Sequence, residues 1–210
     1  MFQRLFREGK AQIFATDTVL TTLMCAQRSV YSWDLVLTKR NGCIFIDKRD
    51  GSAVDLLTSG ETNTAEPVPE DREAINALPN LSYEATAINQ NWSQQALLKG
   101  KTHSLGSSNP FAAGTDGEIA SVGYRYRSFA LGQSRIAVRC EVGAITEIRG
   151  EQQLMHLRAF NEWDPKNGSE WKTKLESQRG AILATEIKNN AAKVAKWTAQ
   201  ALLSGKGAAG

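Results

Sequence analysis

The sequence predicts an α+β fold in which mixed, largely antiparallel sheets are flanked by helices. Two observations predict the sheets. An Asn41-Gly42 pair, a strong hairpin signal, lies between two strand-like segments, and residues 135–142 alternate between apolar and polar side chains. A third observation predicts the helices, because apolar residues recur at helical spacing over 17–28 and 189–204.

Local signals place the first helix and the first hairpin. Thr16 or Asp17 can cap a helix that we expect to end near Arg28. Alternation that starts at Trp33 predicts the first strand of the hairpin, and residues 43–47 predict its return strand. The hairpin should therefore follow the helix after only a short connection.

Further elements follow an Asp-Gly turn at 50–51. Residues 61–73 hold five acids and two prolines, which predicts a loop rather than a core element. Asn80 can cap a helix. We expect additional strands over 119–130, 153–160 and 181–188, and a short helix over 170–178.

Composition narrows the classes of function. The 210-residue chain has a net charge of +3, so binding to nucleic acid would depend on local basic patches. Its three cysteines are far apart and form no CxxC pair, which argues against a zinc ribbon or a disulfide framework. Two histidines argue against a histidine-rich metal site. We therefore expect neither metal nor cofactor, and reduced thiols in a cytosolic or nuclear protein without a membrane span.

An aromatic and basic segment covers residues 29–50. It combines Tyr31, Trp33 and Phe45 with Lys39, Arg40, Lys48 and Arg49. Aromatic rings stack on bases and cations hold phosphates, so the mixture is typical of an RNA-binding surface. The acidic loop that follows would repel phosphates if it folded over this surface, as a gate would. The alternatives are that Trp33 is a core residue and that the acidic loop is a solvated linker.

The triplet Glu186-Ile187-Lys188 suggests a second kind of chemistry. Two residues apart on the expected strand, Glu186 and Lys188 would point to the same side, and Glu141 lies on an earlier strand. Metal-dependent nucleases use carboxylates to hold magnesium and a lysine to orient water. A strand-end ion pair is the commoner origin of such a triplet. Gly143 stands where a second carboxylate of the Glu141 strand would be needed.

The run Tyr124-Arg125-Tyr126-Arg127 lies on an expected strand. Alternation puts both tyrosines on one face and both arginines on the other. Two interpretations remain open, an RNA track and a pair of core tyrosines beneath a solvated basic face.

Longer segments carry a more specific signal. They are, in chain order, FATDTVLTTLMCAQRSVYSWDLVL, FIDKRDGSAVDLLT, YEATAINQNWSQQ, EIASVGYRYRSFALG and GAILATEIKNNAAKVAKWTAQALLSG. Together, over about residues 10–205, they resemble the d subunit of eukaryotic translation initiation factor three. The resemblance implies a non-catalytic reader of the messenger RNA 5′ cap, whose fold is cup-shaped and similar to that of decapping exoribonucleases.

The resemblance also implies roles for single residues. Asp17, Val30 and Tyr31 match cap-recognition positions on one helical element, and Thr86, Asn89 and Gln90 match positions on a second. The family often has histidine at the position of Gln90, whose amide can still hydrogen-bond RNA. Remnants of an enzyme-like cleft would be Glu141, Glu186, Lys188 and Gln200. Candidate cations for the cap phosphates are Arg28, Lys48, Arg49 and Arg125.

A further implied feature is a flap, called the RNA gate, that closes the cap cleft. It matches residues 53–67, which are Ala53, Val54, Asp55, Leu56, Leu57, Thr58, Ser59, Gly60, Glu61, Thr62, Asn63, Thr64, Ala65, Glu66 and Pro67. The acid-rich loop begins inside this flap and runs beyond it.

The resemblance implies capped messenger RNA, sister subunits of the factor and the small ribosomal subunit as partners, in the cytoplasm and away from membranes. Residues 1–210 would form a single cap-binding domain, incomplete at both ends, with a flexible tail at 205–210. Cap binding without bond breaking is the leading hypothesis. The alternative is a metal-dependent decapping or 5′-exoribonuclease relative that uses Glu141, Glu186 and Lys188. A third is a scaffold subunit whose basic face contacts only ribosomal RNA or sister subunits.

Overall fold

The computed structural model describes residues 2–29, 31–58, 77–103, 121–161 and 171–205. Within these ranges the strands are β1 (Ile13–Thr16), β2 (Val36–Arg40), β3 (Cys43–Asp47), β4 (Gly123–Leu131), β5 (Ser134–Val142), β6 (Ala144–Ile148) and β7 (Glu151–Met155). The α-helices are α1 (Phe2–Arg7), α2 (Asp17–Met24), α3 (Leu78–Gln95), α4 (Trp171–Lys174), α5 (Arg179–Asn189) and α6 (Ala191–Ser204). Short 3₁₀ turns occupy Ala26–Arg28 and Ala53–Asp55.

The main sheet has five strands in the order β2-β3-β1-β5-β4. Its centre is parallel, because β1 pairs with both β3 and β5 in the same direction. Its two margins are antiparallel hairpins, β2/β3 and β4/β5, and β6 and β7 form a separate antiparallel pair. The α+β prediction with mixed and antiparallel sheets and flanking helices is confirmed.

The β2/β3 hairpin forms where the Asn-Gly pair predicts it. Asn41 and Gly42 both have positive φ values, 49° and 80°, as the two central residues of a type I′ turn require. The turn sets the register, in which Arg40 pairs with Cys43 and Val36 pairs with Asp47. The strand predicted to start at Trp33 starts only at Val36.

The main sheet is covered on both faces. On one face α2 and α6 pack against each other and over a cluster formed by Ala15, Ile136, Val138, Cys140 and Leu203. On the other face Phe14 stacks on Phe45, with ring centroids 5.0 Å apart and planes 14° apart, and Phe6 of α1 completes the aromatic group. Because side chains alternate along β1 and β5, consecutive residues of these strands pack into the clusters on opposite faces of the sheet.

The parallel centre of the sheet places three chain segments at one edge. The carboxyl ends of β1, β3 and β5 meet there, since parallel strands end on the same side. In open α/β sheets, ligands bind outside the carboxyl ends of the strands. Asp17, Lys48 and Glu141 all lie at this edge.

Three further predictions about elements are wrong. Residues 181–188 form helix α5 rather than a strand, because a short aliphatic run does not distinguish the two and packing against α4 and α6 selects the helix. Helix α3 begins at Leu78, so Asn80 is inside it and does not cap it. The strand predicted over 153–160 ends at Met155, and its partner β6 was not predicted.

Other predictions lie outside the described residues, namely the acidic loop at 61–73 and most of the tail after Gly205. In the part of the chain that the structure describes, no helix combines the length and the apolar character needed to cross a bilayer.

Candidate ligand-binding cleft

A cleft of about 860 Å³ opens at the carboxyl edge of β1, β3 and β5. This volume falls in the range of roughly 300–1,000 Å³ that small-molecule sites occupy. Its walls come from α2, the segment after β3, α3, the ends of β4 and β5, and α6. The cleft therefore draws on segments from across the chain.

Most of the described residues that sequence reasoning assigned to a site line this cleft. The cap-recognition positions among them are Asp17, Tyr31, Thr86, Asn89 and Gln90. Glu141 and Gln200, two of the four enzyme-like residues, line it as well, and so do gate residues Ala53, Val54, Asp55, Leu56, Leu57 and Thr58. Val30 and residues 59–67 lie outside the described residues.

Asp17 lines the cleft and is only 4% exposed. It begins α2 directly after Thr16, whose Oγ1 accepts the backbone N–H of Val19 as the N-cap. Oδ1 of Asp17 accepts the backbone N–H of Thr18 at 2.8 Å, and Oδ2 accepts the backbone N–H of Glu141 at 3.1 Å. Burial raises the pKa of Asp17, although both hydrogen bonds act in the opposite direction. The side chain ties the start of α2 to β5.

Glu141 differs from Asp17 in its surroundings. Its side chain is exposed in the cleft, and among the described residues it makes no hydrogen bond or ion pair. The cleft walls exclude part of the bulk water and raise the pKa of the Glu141 carboxyl, and the Asp17 carboxylate raises it further. Arg158 and Arg139 act in the opposite direction. The carboxylate is thus available to a ligand.

Four cations that sequence reasoning did not single out line the cleft: Arg139, Arg158, Lys193 and Lys196. Arg158 donates to Oε1 of Gln200 at 3.1 Å and to the carbonyl of Leu157 at 3.1 Å. Desolvation lowers the pKa of Arg158, while Glu141 and Asp17 raise it. Arg139 lies on β5, Arg158 follows β7, and Lys193 and Lys196 lie on α6, so no single local motif predicts the group.

Aromatic rings accompany the cations. The guanidinium of Arg139 lies 5.0 Å from the ring centroid of Tyr124, and Nζ of Lys193 lies 5.8 Å from that of Trp197. Trp33 also lines the cleft and is 39% exposed. The interpretation of Trp33 as a core residue is wrong, because the strand starts beyond it and leaves it beside the cleft.

Two of the cations predicted from residues 29–50 have local acidic partners. Lys48 pairs with Asp55, and Nε of Arg49 lies 2.5 Å from Oδ2 of Asp34. Both pairs line the cleft. Arg28 instead lines a separate apolar groove beside α6. The segment after β3 therefore contributes two cations whose charges are already paired with carboxylates.

The Tyr-Arg alternation of β4 has a structural explanation for its arginines. Arg125 donates to the carbonyl of Ser204 at 3.0 Å, and Arg127 donates to the carbonyl of Leu203 at 3.0 Å. These carbonyls end α6, where the helix dipole favours cations. Tyr124 on the opposite face lines the cleft. The arginines thus cap a helix rather than forming a track.

Helix α3 carries the second group of predicted positions. Thr86 Oγ1 donates to the carbonyl of Ser82 at 2.7 Å and accepts the backbone N–H of Leu57 at 2.8 Å. Asn89 is 6% exposed and donates from Nδ2 to the carbonyl of Ala159 at 3.0 Å. Gln90 is exposed. Only Gln90 of these three therefore extends freely from the helix.

Glu186 and Lys188 do not line the cleft. On helix α5 they point in nearly opposite directions, about 160° apart, because each residue turns the helix by about 100°. Glu186 is 4% exposed, and its carboxylate accepts from Nε1 of Trp171 at 3.0 Å and Nδ2 of Asn190 at 3.1 Å. Lys188 is exposed. The prediction that both point to one side of a strand is wrong.

The nuclease alternative requires Glu186 and Lys188 beside Glu141, and the structure does not place them there. Glu141 and Gln200 remain in the cleft without the Glu-x-Lys pair that was to join them. Across the described ranges, no group of three or more His, Cys, Asp or Glu side chains is arranged to hold a metal ion. The alternative therefore has no support from the arrangement of side chains.

Comparison with known proteins identifies the family. The family described as "Eukaryotic translation initiation factor 3 subunit 7 (eIF-3)" matches residues 1–208. The d subunit of eukaryotic translation initiation factor 3 from Arabidopsis thaliana is 50% identical over 207 residues, which cover 97% of this chain and 35% of the relative. The corresponding d subunits of Bombyx mori and Nematostella vectensis are each 48% identical, over 92% and 98% of this chain and 36% and 37% of their own length. The chain spans about a third of the length of these relatives. It belongs to the family formed by the d subunits of eukaryotic translation initiation factor 3.

Proposed function

We propose that this chain is the part of a translation initiation factor subunit that binds the 7-methylguanosine 5′ cap of a subset of messenger RNAs. The relatives' names support the claim that the chain is part of a translation initiation factor subunit. One observation supports cap binding. Two separate groups of implied cap-recognition positions, one around α2 and one on α3, line the same cleft. Val30 belongs to the proposed site with the described positions Asp17, Tyr31, Thr86, Asn89 and Gln90.

The chemistry of the cleft suits both parts of a cap. A methylated guanine carries a delocalised positive charge, which aromatic faces such as those of Tyr31 and Trp33 attract. A triphosphate chain needs cations, and Arg139, Lys193 and Lys196 line the same cavity. The cleft therefore has candidates for stacking and for phosphate binding within one volume.

The gate is proposed to cover residues 53–67. Support comes from its described first part, since Ala53–Asp55 packs against α2 and Leu57 is hydrogen-bonded to Thr86. The proposed gate thereby touches both groups of cap-recognition positions. Residues 53–58 all line the cleft.

The wider role is also a proposal. We infer that the chain acts in the cytoplasm within the multisubunit factor, beside sister subunits and the small ribosomal subunit, and binds its cap without breaking a bond. We infer further that its fold is cup-shaped and similar to that of decapping exoribonucleases. Glu141 and Gln200 would then be the enzyme-like residues that remain in the cleft.

A fluorescence titration tests cap binding. The chain is titrated with a capped oligonucleotide and with the same oligonucleotide in its uncapped form, which ends in a 5′-triphosphate. We expect the capped form to bind more tightly, and Tyr31→Ala to weaken that binding by roughly tenfold, since base stacking contributes about 1–3 kcal/mol. Tyr83→Ala is the matched control, because Tyr83 is 72% exposed and does not line the cleft. Equal binding of both oligonucleotides would refute the proposal.

A deletion tests the gate. The same titration is repeated with a chain that lacks residues 53–67, and we expect tighter binding of the capped oligonucleotide. Unchanged or weaker binding, with the fold retained by circular dichroism, would show that the segment is not a gate.

A further inference from the structure

We propose that Glu141 reads the base edge of the cap, and that Asp17 is a positioning residue that holds Glu141 in place. This inference rests on the proposed function and assigns different tasks to the two acids of the cleft. The family resemblance implies that Asp17 is a cap-recognition position. The hydrogen bonds of the cleft favour Glu141.

Asp17 has no oxygen to spare for a ligand. Each of its two oxygens accepts a backbone N–H, one from Thr18 at 2.8 Å and one from Glu141 at 3.1 Å. The residue is 4% exposed, so a planar base cannot approach the remaining lone pairs. A carboxylate in this setting fixes backbone groups, in this case the start of α2 and the end of β5.

Glu141 has the opposite properties. Its backbone N–H is the group that Asp17 holds, and its side chain is exposed in the cleft. Within the described ranges, neither Arg139 nor Arg158 forms an ion pair with it, although both lie near enough to influence its charge. Both carboxylate oxygens are therefore open to a ligand.

The chemistry of guanine matches such a carboxylate. Guanine presents N1–H and the 2-amino group side by side on one edge, and a carboxylate can accept both in a bidentate pair. Methylation makes the ring cationic, which strengthens these donors. The partial desolvation that raises the pKa of Glu141 leaves its oxygens less well hydrated and hence stronger acceptors. Tyr124, the register partner of Glu141 on β4, lines the same cleft.

The test compares two cap analogues that differ only at this edge. 7-Methylinosine triphosphate lacks the 2-amino group of 7-methylguanosine triphosphate. We expect the wild-type chain to prefer the guanosine analogue by roughly tenfold, which corresponds to one charge-assisted hydrogen bond of about 1.4 kcal/mol. In Glu141→Gln the preference should fall to within about twofold, because the amide offers one acceptor and one donor. Its melting temperature should not change, since the side chain is exposed.

Two further variants separate the roles. Asp17→Asn should lower the melting temperature and also reduce the preference for the guanosine analogue, because its amide group no longer holds the backbone N–H of Glu141 as the carboxylate does. Glu147→Gln is the matched control for charge, because Glu147 is exposed on β6 and does not line the cleft.

The outcomes are distinguishable. If the wild-type chain binds neither analogue, cap binding itself is refuted and the inference falls with it. If the wild-type chain discriminates and Glu141→Gln discriminates equally well, the assignment of Glu141 is wrong while cap binding stands. If Asp17→Asn loses the discrimination at an unchanged melting temperature, the two roles are reversed.

Discussion

The backbone N–H of Leu57 donates a hydrogen bond of 2.8 Å to Oγ1 of Thr86. This bond joins the segment after β3 to the middle of α3, two parts of the chain that only the tertiary structure brings together. Thr86 is also an implied cap-recognition position. A ligand that engages its hydroxyl would have to compete with the backbone of the proposed gate, so gate position and ligand binding would be coupled at this atom.

Thr86→Val should loosen the attachment of residues 53–58. Valine keeps the branched shape but removes the acceptor, at a cost of about 1 kcal/mol to the closed position, or roughly a fivefold rise in opening. Hydrogen exchange at the Leu57 amide measures this directly. Thr198→Val is the matched control, since Thr198 also donates to the carbonyl four residues earlier and is exposed on α6. Equal protection of Leu57 in both variants would contradict the prediction.

Gly205→Ala should destabilise the end of α6. Gly205 has φ 73° and ψ 162°, a region that residues with a Cβ atom rarely occupy. An added Cβ would overlap Nη1 of Arg127 and would displace the guanidinium that donates to the last carbonyls of the helix. We expect a loss of about 2 kcal/mol in the free energy of unfolding by urea. Gly180→Ala, in α5 with open space around it, should show no loss.

Glu186→Gln should destabilise the fold without affecting the cleft. The carboxylate accepts from both Trp171 and Asn190, and an amide can accept from only one of them. Leaving a buried donor unpaired costs about 1–3 kcal/mol. Urea unfolding measures the loss, and titration with a capped oligonucleotide should give an unchanged affinity. Glu176→Gln is the control, since Glu176 is an exposed acid between α4 and α5. A weaker ligand affinity without a loss of stability would contradict this structural role.

His156 should make stability depend on pH. Its Nε2 lies 2.8 Å from Oγ of Ser204, and burial, with a smaller effect of Arg158, lowers its pKa from 6.5 to about 4. Between these values the unfolded chain binds a proton that the folded chain does not. The contribution of His156 to stability is therefore full above about pH 6.5 and falls as the pH drops toward about 4, with a slope of at most about 1.4 kcal/mol per pH unit.

The variant His156→Gln isolates this effect. Glutamine can approach Ser204 without titrating, so its free energy of unfolding should vary less steeply with pH than that of the wild type. The raised pKa values of Asp17 and Glu141 act in the opposite sense in both proteins and cancel in the comparison. Parallel pH profiles for the two proteins would contradict the lowered pKa of His156.

Much of the local structure could be predicted from the sequence. The cap of α2, the type I′ turn at Asn41 and Gly42, and the alternation of β5 all depend on residues a few positions apart. The family resemblance added candidate positions on α2 and α3, and the described ones among them line one cleft. The aliphatic run of α5 was misassigned because its own residues allow both a strand and a helix, and contacts with Trp171 and Asn190 decide between them.

Elements whose hydrogen bonds, turns and caps lie within a few residues follow from the sequence. Which of the two acids is exposed in the cleft depends instead on the packing of distant segments. Parallel pairing of β1 with β5 brings Asp17 to the backbone of Glu141, across more than half of the chain, and leaves the glutamate side chain in the cleft. The packing of distant segments also places Arg158 and Lys196 around these acids. The physical reason is that burial and charge at a site depend on every segment packed around it, and no local pattern reports those neighbours.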